Sequence, residues 1–235
     1  MKVRAILLFA VAGVWASGAP AALAPDAIVE NYCAASRGEA ELLQGASMDV
    51  EIAASLPKLQ KQGRLHALRR ISALGRITYE RLKFDGDNTV KSQVIARYLS
   101  AEAEAQGDQS PSLAVIPANY KFKYKGRGAL DGREAHIFQV TPRKKRPGLF
   151  KGEIWIDAAT YLRVQESGYL VKNPSIFLKR VDFVRKYEIR NGVSVPLQVK
   201  SVVGTRLAGT AELTIDYSNF SAPSMRRDAG DATLQ

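Results

Sequence analysis

Hydrophobic and polar residues alternate along most of the second half of the chain, with the two-residue period of β-strands. The clearest case is residues 120–125, where Tyr120, Phe122 and Tyr124 alternate with three lysines. Alternation of this kind is typical of an antiparallel sheet with one apolar face and one wet face. The further strands predicted in this half are 135–140, 151–157, 161–171, 177–190, 193–203 and 208–218.

The first half combines two helical segments with three more strands. Apolar residues at helical spacing predict a helix over 26–44, which Pro25 begins and Gly45 ends. A second helix is predicted over 89–105, after the turn at Asp85-Gly86-Asp87. The strands predicted here are 48–54, 63–72 and 76–84.

The predicted sheet is wider than the two helices can cover. Ten strands at about 4.8 Å spacing span roughly 48 Å, whereas a helix is about 10–12 Å across. Burial of each apolar side chain is worth roughly 1.5–3 kcal/mol, so we expect the sheet to curl around the helices. Either a hydrophobic ligand or the protein's own side chains could fill the inside. The residues expected to face this interior are Val50, Ile52, Leu82, Phe84, Phe122, Tyr124, Val181, Phe183, Leu213 and Ile215.

The first 24 residues have the layout of a secretory signal. Lys2 and Arg4 precede an apolar run over 5–15, and Ala22-Leu23-Ala24 matches the A-x-A pattern that a signal peptidase cleaves. We therefore predict a signal peptide at 1–24 and an exported protein; the alternative is a retained membrane anchor.

The rest of the chain is long enough for one domain with a sizeable core. We assign residues 25–220 to this domain and 221–235 to a polar tail. Loss of Lys2 and Arg4 lowers the formal net charge from +11 to +9. In an exported protein this charge favours an anionic surface or ligand over nucleic acid. Cys33 is the sole cysteine, which excludes an internal disulfide.

Three segments within residues 118–220 form a recognisable pattern. They are the segment Leu149–Asp157 followed by Thr160-Tyr161-Leu162, the preceding strand that begins at Asp131-Gly132-Arg133, and the last predicted strand, 211–220. The first two resemble the core hairpin, and the third the terminal strand, of LolA-like outer-membrane lipoprotein-sorting proteins. The resemblance implies an α+β fold, an unclosed half-barrel of antiparallel strands with helices covering its concave face. It also implies a periplasmic protein, since family members carry lipoproteins, bind lipids or sense envelope stress.

Catalytic and metal-binding signatures are absent from the sequence. His66 and His136 are the two histidines, and neither has a cysteine or a second histidine at metal-ligand spacing. No nucleophile elbow or phosphate-binding glycine loop occurs. We therefore predict a protein that is not an enzyme and that needs no metal or cofactor, and keep a hydrolase of envelope components as a lesser alternative.

Four consecutive cations between two prolines predict a projecting loop. This loop could contact an anionic membrane through Arg143, Lys144, Lys145 and Arg146. Each cation near such a surface contributes about 1 kcal/mol to the free energy of binding. The adjacent Leu149 and Phe150 would then dip into the bilayer interface; the alternative is that both pack at a strand end.

The leading hypothesis is a periplasmic carrier or binder of lipid or lipoprotein acyl chains. The alternative is an envelope sensor or protein-interaction module that uses the same fold without transport. The expected partner is a lipid or an acylated protein, with transient contact to a membrane surface. The identity of the lipid and the oligomeric state stay open.

Overall fold

Ten β-strands form one antiparallel sheet that does not close on itself. The computed structural model describes residues 23–74, 76–107, 113–173, 178–205 and 209–223. The strand order is β3-β2-β1-β10-β9-β8-β7-β6-β5-β4, which leaves β3 and β4 as the two edges. The strands are β1 Ser47–Leu56, β2 Lys61–Ile71, β3 Ile77–Gly86, β4 Tyr120–Leu130, β5 Arg133–Pro142, β6 Phe150–Asp157, β7 Arg163–Leu170, β8 Leu178–Arg190, β9 Val193–Thr205 and β10 Thr210–Ser221. The predicted unclosed half-barrel is confirmed.

The helices lie on one face of the sheet, here called the inner face. The predicted first helix is two helices, α1 over Pro25–Arg37 and α2 over Glu39–Leu42, because the chain turns at Gly38. The predicted second helix runs from α3, Asn88–Val90, to α4, Ala96–Gly107, with a π-helical turn over Lys91–Ile95 between them. Asp87 caps its start by accepting a hydrogen bond of 2.7 Å from the Thr89 backbone nitrogen.

Strand pairing explains how the sheet joins its two halves. β1 pairs with β10, so Ile52 lies opposite Ile215 although 163 positions separate them in sequence. Every other pairing joins strands that are neighbours in the chain, which gives two antiparallel meanders that meet at β1 and β10. The sheet therefore depends on one long-range pairing between its N-terminal and C-terminal parts.

Two glycines allow β6 and β7 to approach closely. Gly152 pairs with Gly168, and a Cβ built on Gly152 would lie 1.8 Å from the Ser167 carbonyl oxygen. Gly168 has φ of 148°, a backbone conformation that side chains disfavour. Both positions therefore require glycine.

The predicted signal peptide falls on residues 1–24, of which 1–22 lie outside the described residues. The polar tail falls on 221–235, of which 224–235 lie outside them. Both assignments stay predictions. None of the helices in the described ranges has both the length and the apolar character needed to cross a membrane.

Candidate functional site

The inner face carries two separate apolar clusters. Helix α1 covers the first cluster, on the half of the sheet that ends at β4. The second cluster lies on the other half, under the helix that runs from α3 to α4. The first contains the buried residues Ile28, Val29, Tyr32, Val115, Tyr120, Phe138, Val140, Leu149, Phe150, Ile154, Ile156 and Phe183. The second contains Met48, Val50, Ile52, Ala54, Leu56, Leu65, Val90, Ile95, Ala211, Leu213, Ile215 and Tyr217.

A group of charged and hydroxyl side chains, here called the seam, lies between the two clusters on β7, β8 and α2. Its centre is Glu166, whose side chain is 3% exposed. The Tyr187 hydroxyl donates a hydrogen bond of 3.0 Å to Glu166 Oε2. Nη1 atoms of Arg185 and Arg163 lie 3.4 Å and 3.7 Å from the Glu166 carboxylate. A buried carboxylate is thus balanced by two guanidinium groups, as burial of charge requires.

Helix α2 supplies the second carboxylate of the seam. Glu39 Oε2 lies 3.8 Å from Arg163 Nη2, and Glu39 Oε1 accepts a hydrogen bond of 2.7 Å from the Ser194 backbone nitrogen. Glu39 is 5% exposed. Glu39 follows the turn at Gly38 and is the first residue of α2. From this helix its side chain contacts Arg163 of β7 and Ser194 of β9.

The two arginine side chains of the seam are partly exposed. Arg163 and Arg185 are 29% and 40% exposed, whereas the Glu166 carboxylate is almost fully buried and Arg163 Nε is buried without a hydrogen-bond partner. Burial and the neighbouring Glu166 carboxylate both raise the pKa of Tyr187 above its ordinary value, so its hydroxyl stays protonated and donates. The seam is therefore a polar strip on a face that the sequence pattern predicted to be apolar.

A polar latch fixes α4 to β2 and β3. Arg69 Nη2 lies 3.3 Å from Glu102 Oε1, and the Tyr79 hydroxyl donates to the other oxygen of the same carboxylate. Arg69 is 8% exposed and its guanidinium also lies 5.9 Å from the ring centre of Tyr217. Burial raises the pKa of Tyr79, and Glu102 raises it further. The latch is a buried ion pair that holds a helix over the second cluster.

The residues predicted to face the interior are placed in three ways. Five are buried in the clusters, namely Val50, Ile52, Phe183, Leu213 and Ile215. Phe84, Phe122 and Tyr124 are partly buried and pack against the clusters, and Val181 is partly buried as well. Leu82 is 54% exposed, so its predicted burial is wrong.

The exposure of Leu82 follows from an irregular edge strand. Arg81 has φ of 55°, and the register between β2 and β3 shifts between His66 and Leu68. This bulge lets Tyr79 and Phe84, five residues apart, pack against the same cluster. Simple alternation over 76–84 could not predict that change of face.

The two best-formed depressions of the described structure are small or open, and neither is a closed apolar cavity. One encloses about 10 Å³ and is lined by residues of the hairpin from β8 to β9 together with Met48 and Tyr217. The other is an open depression of about 380 Å³ that is lined by Arg133, Glu134 and Asp157 with two alanines. Helix α1 and the helix from α3 to α4 cover the two clusters in this conformation.

The predicted membrane loop is placed differently from its apolar neighbours. Residues 143–146 are exposed, but Leu149 and Phe150 are each 2% exposed and belong to the first cluster. Phe150 packs edge-to-face on Phe183 with ring centres 5.2 Å apart. Of the two possibilities for Leu149 and Phe150, entry into a bilayer is wrong and packing at a strand end is correct, because both are core residues.

The residues that carried the family resemblance have structural roles. Asp157 Oδ1 accepts hydrogen bonds from the backbone nitrogens of Ala159 and Thr160 and from the Thr160 hydroxyl, at 2.8–3.1 Å. The Asp157 carboxylate therefore closes the turn from β6 to β7. His136 is buried with Nδ1 3.3 Å from the Tyr124 hydroxyl, and His66 lies on the exposed surface. Among the described residues, no three His, Cys, Asp or Glu side chains group as metal ligands would.

Comparison with known proteins finds similarity in solved structures. No protein-family model and no curated protein matches the chain. A DUF1329 family protein from Desulfovibrio piger is 14% identical with a TM-score of 0.46, covering 84% of this chain and 92% of that chain. An outer-membrane lipoprotein-sorting protein domain from Vibrio parahaemolyticus is also 14% identical, with a TM-score of 0.42 and the same coverage.

A LolA superfamily protein from Nitrosomonas europaea is 11% identical, with a TM-score of 0.36, and covers 85% of this chain and 94% of that chain. LolA-like proteins, the family that residues 118–220 resemble, are thus among the chains to which this structure is similar. Similarity at this level says nothing about a ligand or a partner.

Proposed function

We propose that this is an exported, periplasmic binding protein that holds an acyl chain, from a lipid or an acylated protein, against the inner face of its sheet. The observation that carries the proposal is that single helices cover two separate apolar clusters, with a polar seam of partly exposed arginines between them. An acyl chain that displaced a helix would take over its apolar contacts. Because burial is worth about 25 cal/mol per Å², such an exchange can be nearly balanced in free energy.

Helix α4 is the better candidate for the element that moves. It reaches the second cluster through the partly buried side chains of Tyr98 and Leu99, beside Val94 of the π-helical turn, and the latch at Glu102 is a polar attachment. The π-helical turn precedes it, and such turns are frequent at functional sites. Movement of α4 would uncover β1, β2 and β10.

Two adjacent valines on β9 offer a matched test. Val203 packs against the second cluster, whereas Val202 is 49% exposed on the outer face. We expect Val203→Asp to weaken binding of a fluorescent long-chain fatty acid at least tenfold, and Val202→Asp to leave binding unchanged, since a buried carboxylate opposes an apolar ligand. Circular dichroism establishes that each variant is folded.

Lipid recovered by organic extraction of the purified wild-type protein and identified by mass spectrometry would support the proposal. A lipid-free protein with no saturable fatty-acid binding would overturn it.

The second candidate function is an envelope sensor or protein-interaction module. It is favoured by the small or open character of the two best-formed depressions in the described part of the chain, neither of which is a closed apolar cavity. Native mass spectrometry separates the two functions: a bound lipid mass favours the acyl-chain binder, and a lipid-free protein that retains a protein partner favours the module.

A further inference from the structure

Edge strand β4 and the loop after β5 present eight exposed cations on one side of the molecule. They are Lys121, Lys123 and Lys125 of β4, the four residues 143–146, and Lys151 of β6. In the described structure none of them forms an ion pair; Arg143 donates through Nε to the Pro117 carbonyl oxygen at 2.8 Å. We call this surface the basic edge.

Strand pairing brings these cations together. Tyr120 pairs with Pro142, so Lys121 lies beside the start of the loop. The Arg143 backbone nitrogen bonds to the Asn119 carbonyl oxygen at 2.8 Å, which fixes the loop to the start of β4. Along β4, Lys121 and Lys123 lie about 6.6–6.8 Å apart on the face away from α1. Lys125 follows at the bulge between Tyr124 and Gly126.

The basic edge is not balanced by acidic residues. Glu153 is the one carboxylate on the described outer face of β4–β6 at the end nearest the loop. Some surface cations elsewhere have partners, such as Arg64 with Glu51 at 3.0 Å and Arg70 with Glu80 at 2.9 Å. Lysines on an edge strand discourage pairing with another sheet, but that role does not account for the loop or for Lys151.

We propose that the basic edge docks the protein on an anionic membrane surface. The cations form an exposed array on a strand and a loop, which suits the continuous phosphate layer of a bilayer. The apolar residues beside the loop, Leu149 and Phe150, are buried, so docking uses charge without insertion. This inference is independent of acyl-chain binding, because it uses the face of the sheet opposite the helices.

The test is flotation of the full mature chain with vesicles of phosphatidylcholine containing about one-third phosphatidylglycerol. Each cation near such a surface strengthens binding about fivefold, so the triple variant Lys144→Ser, Lys145→Ser, Arg146→Ser should bind about a hundredfold more weakly. Raising salt from 0.1 M to 1 M shortens the screening length from about 10 Å to 3 Å and should abolish binding. Pure phosphatidylcholine vesicles should not bind.

The matched control removes three exposed cations elsewhere, with Lys83→Ser, Arg97→Ser and Lys200→Ser. It should bind the anionic vesicles nearly as well as the wild type. Equal loss in both triple variants would mean that net charge alone is responsible, and would overturn the proposal. Undiminished binding of the loop variant, or tight binding to polyglutamate without binding to vesicles, would also overturn it.

Discussion

At the scale of single residues, the most recognisable positions are structural. Asp157 and Thr160, which carried the family resemblance, form a side-chain-capped turn. The residues that give the inner face its polarity, such as Glu166 and Arg185, belong to no motif. The alternation along β8 does indicate that Arg185 lies on the inner face. Arg185 is two residues from Phe183 and two from Tyr187, and all three side chains contribute to that face.

The buried histidine predicts a pH dependence of stability. Burial lowers the pKa of His136 below its ordinary value of 6.5, and Arg127 lowers it further. The folded state therefore binds this proton less readily than the unfolded state, so stability is full above about pH 6.5 and is lost as pH falls toward the lower folded pKa.

Urea denaturation at pH 7.5 and pH 5 measures this loss. His136→Phe should reduce it, because this variant has no imidazole to protonate at position 136. An unchanged profile in His136→Phe would contradict the assignment.

At the scale of elements, the strands and both helical regions were predictable and their irregularities were not. Period-two alternation located the strands because one face of the sheet is buried and the other is wet. The bulge at Arg81 depends on the pairing of β3 with β2, so a local pattern could not reveal it. The same holds for Arg69, whose burial is possible only because Glu102 reaches it from α4.

The latch predicts a specific energetic result. Glu102→Leu should destabilise the protein by about 3–5 kcal/mol, because it leaves Arg69 charged and buried without its partner. Urea denaturation measures the change, and hydrogen exchange should show faster exchange in residues 88–107.

The double variant Arg69→Met, Glu102→Leu should recover most of the lost stability, since apolar residues can replace a buried ion pair. If it is no more stable than Glu102→Leu, the ion pair is not the cause.

At the scale of the whole molecule, the seam divides the interior into two apolar regions. The width of the predicted sheet and its alternation of apolar and polar residues predicted an apolar surface that must be covered. They did not predict that charged side chains would occupy the middle of that surface. The inner face is therefore best described as two hydrophobic sites on either side of a polar strip, and five of the ten residues expected to line a cavity are core residues.

The central carboxylate of the seam should stabilise both regions. Glu166→Gln removes the charge that balances Arg163 and Arg185, so we expect a loss of about 1.5–3 kcal/mol in the free energy of unfolding. Glu212→Gln, at an exposed position of β10, should change stability by less than about 0.5 kcal/mol. Equal effects in the two variants would contradict the role given to Glu166.

The pairing of β1 with β10 has a consequence for the order of events during synthesis and during the proposed export. The ribosome makes β1, β2 and β3 long before β10. These three strands can join the rest of the sheet only after β10 has been made, because β1 pairs with β10. Such non-local pairing slows folding. The nascent chain consequently stays incompletely folded until nearly all of it has been made, which is the state in which a polypeptide can be threaded through a narrow translocation channel.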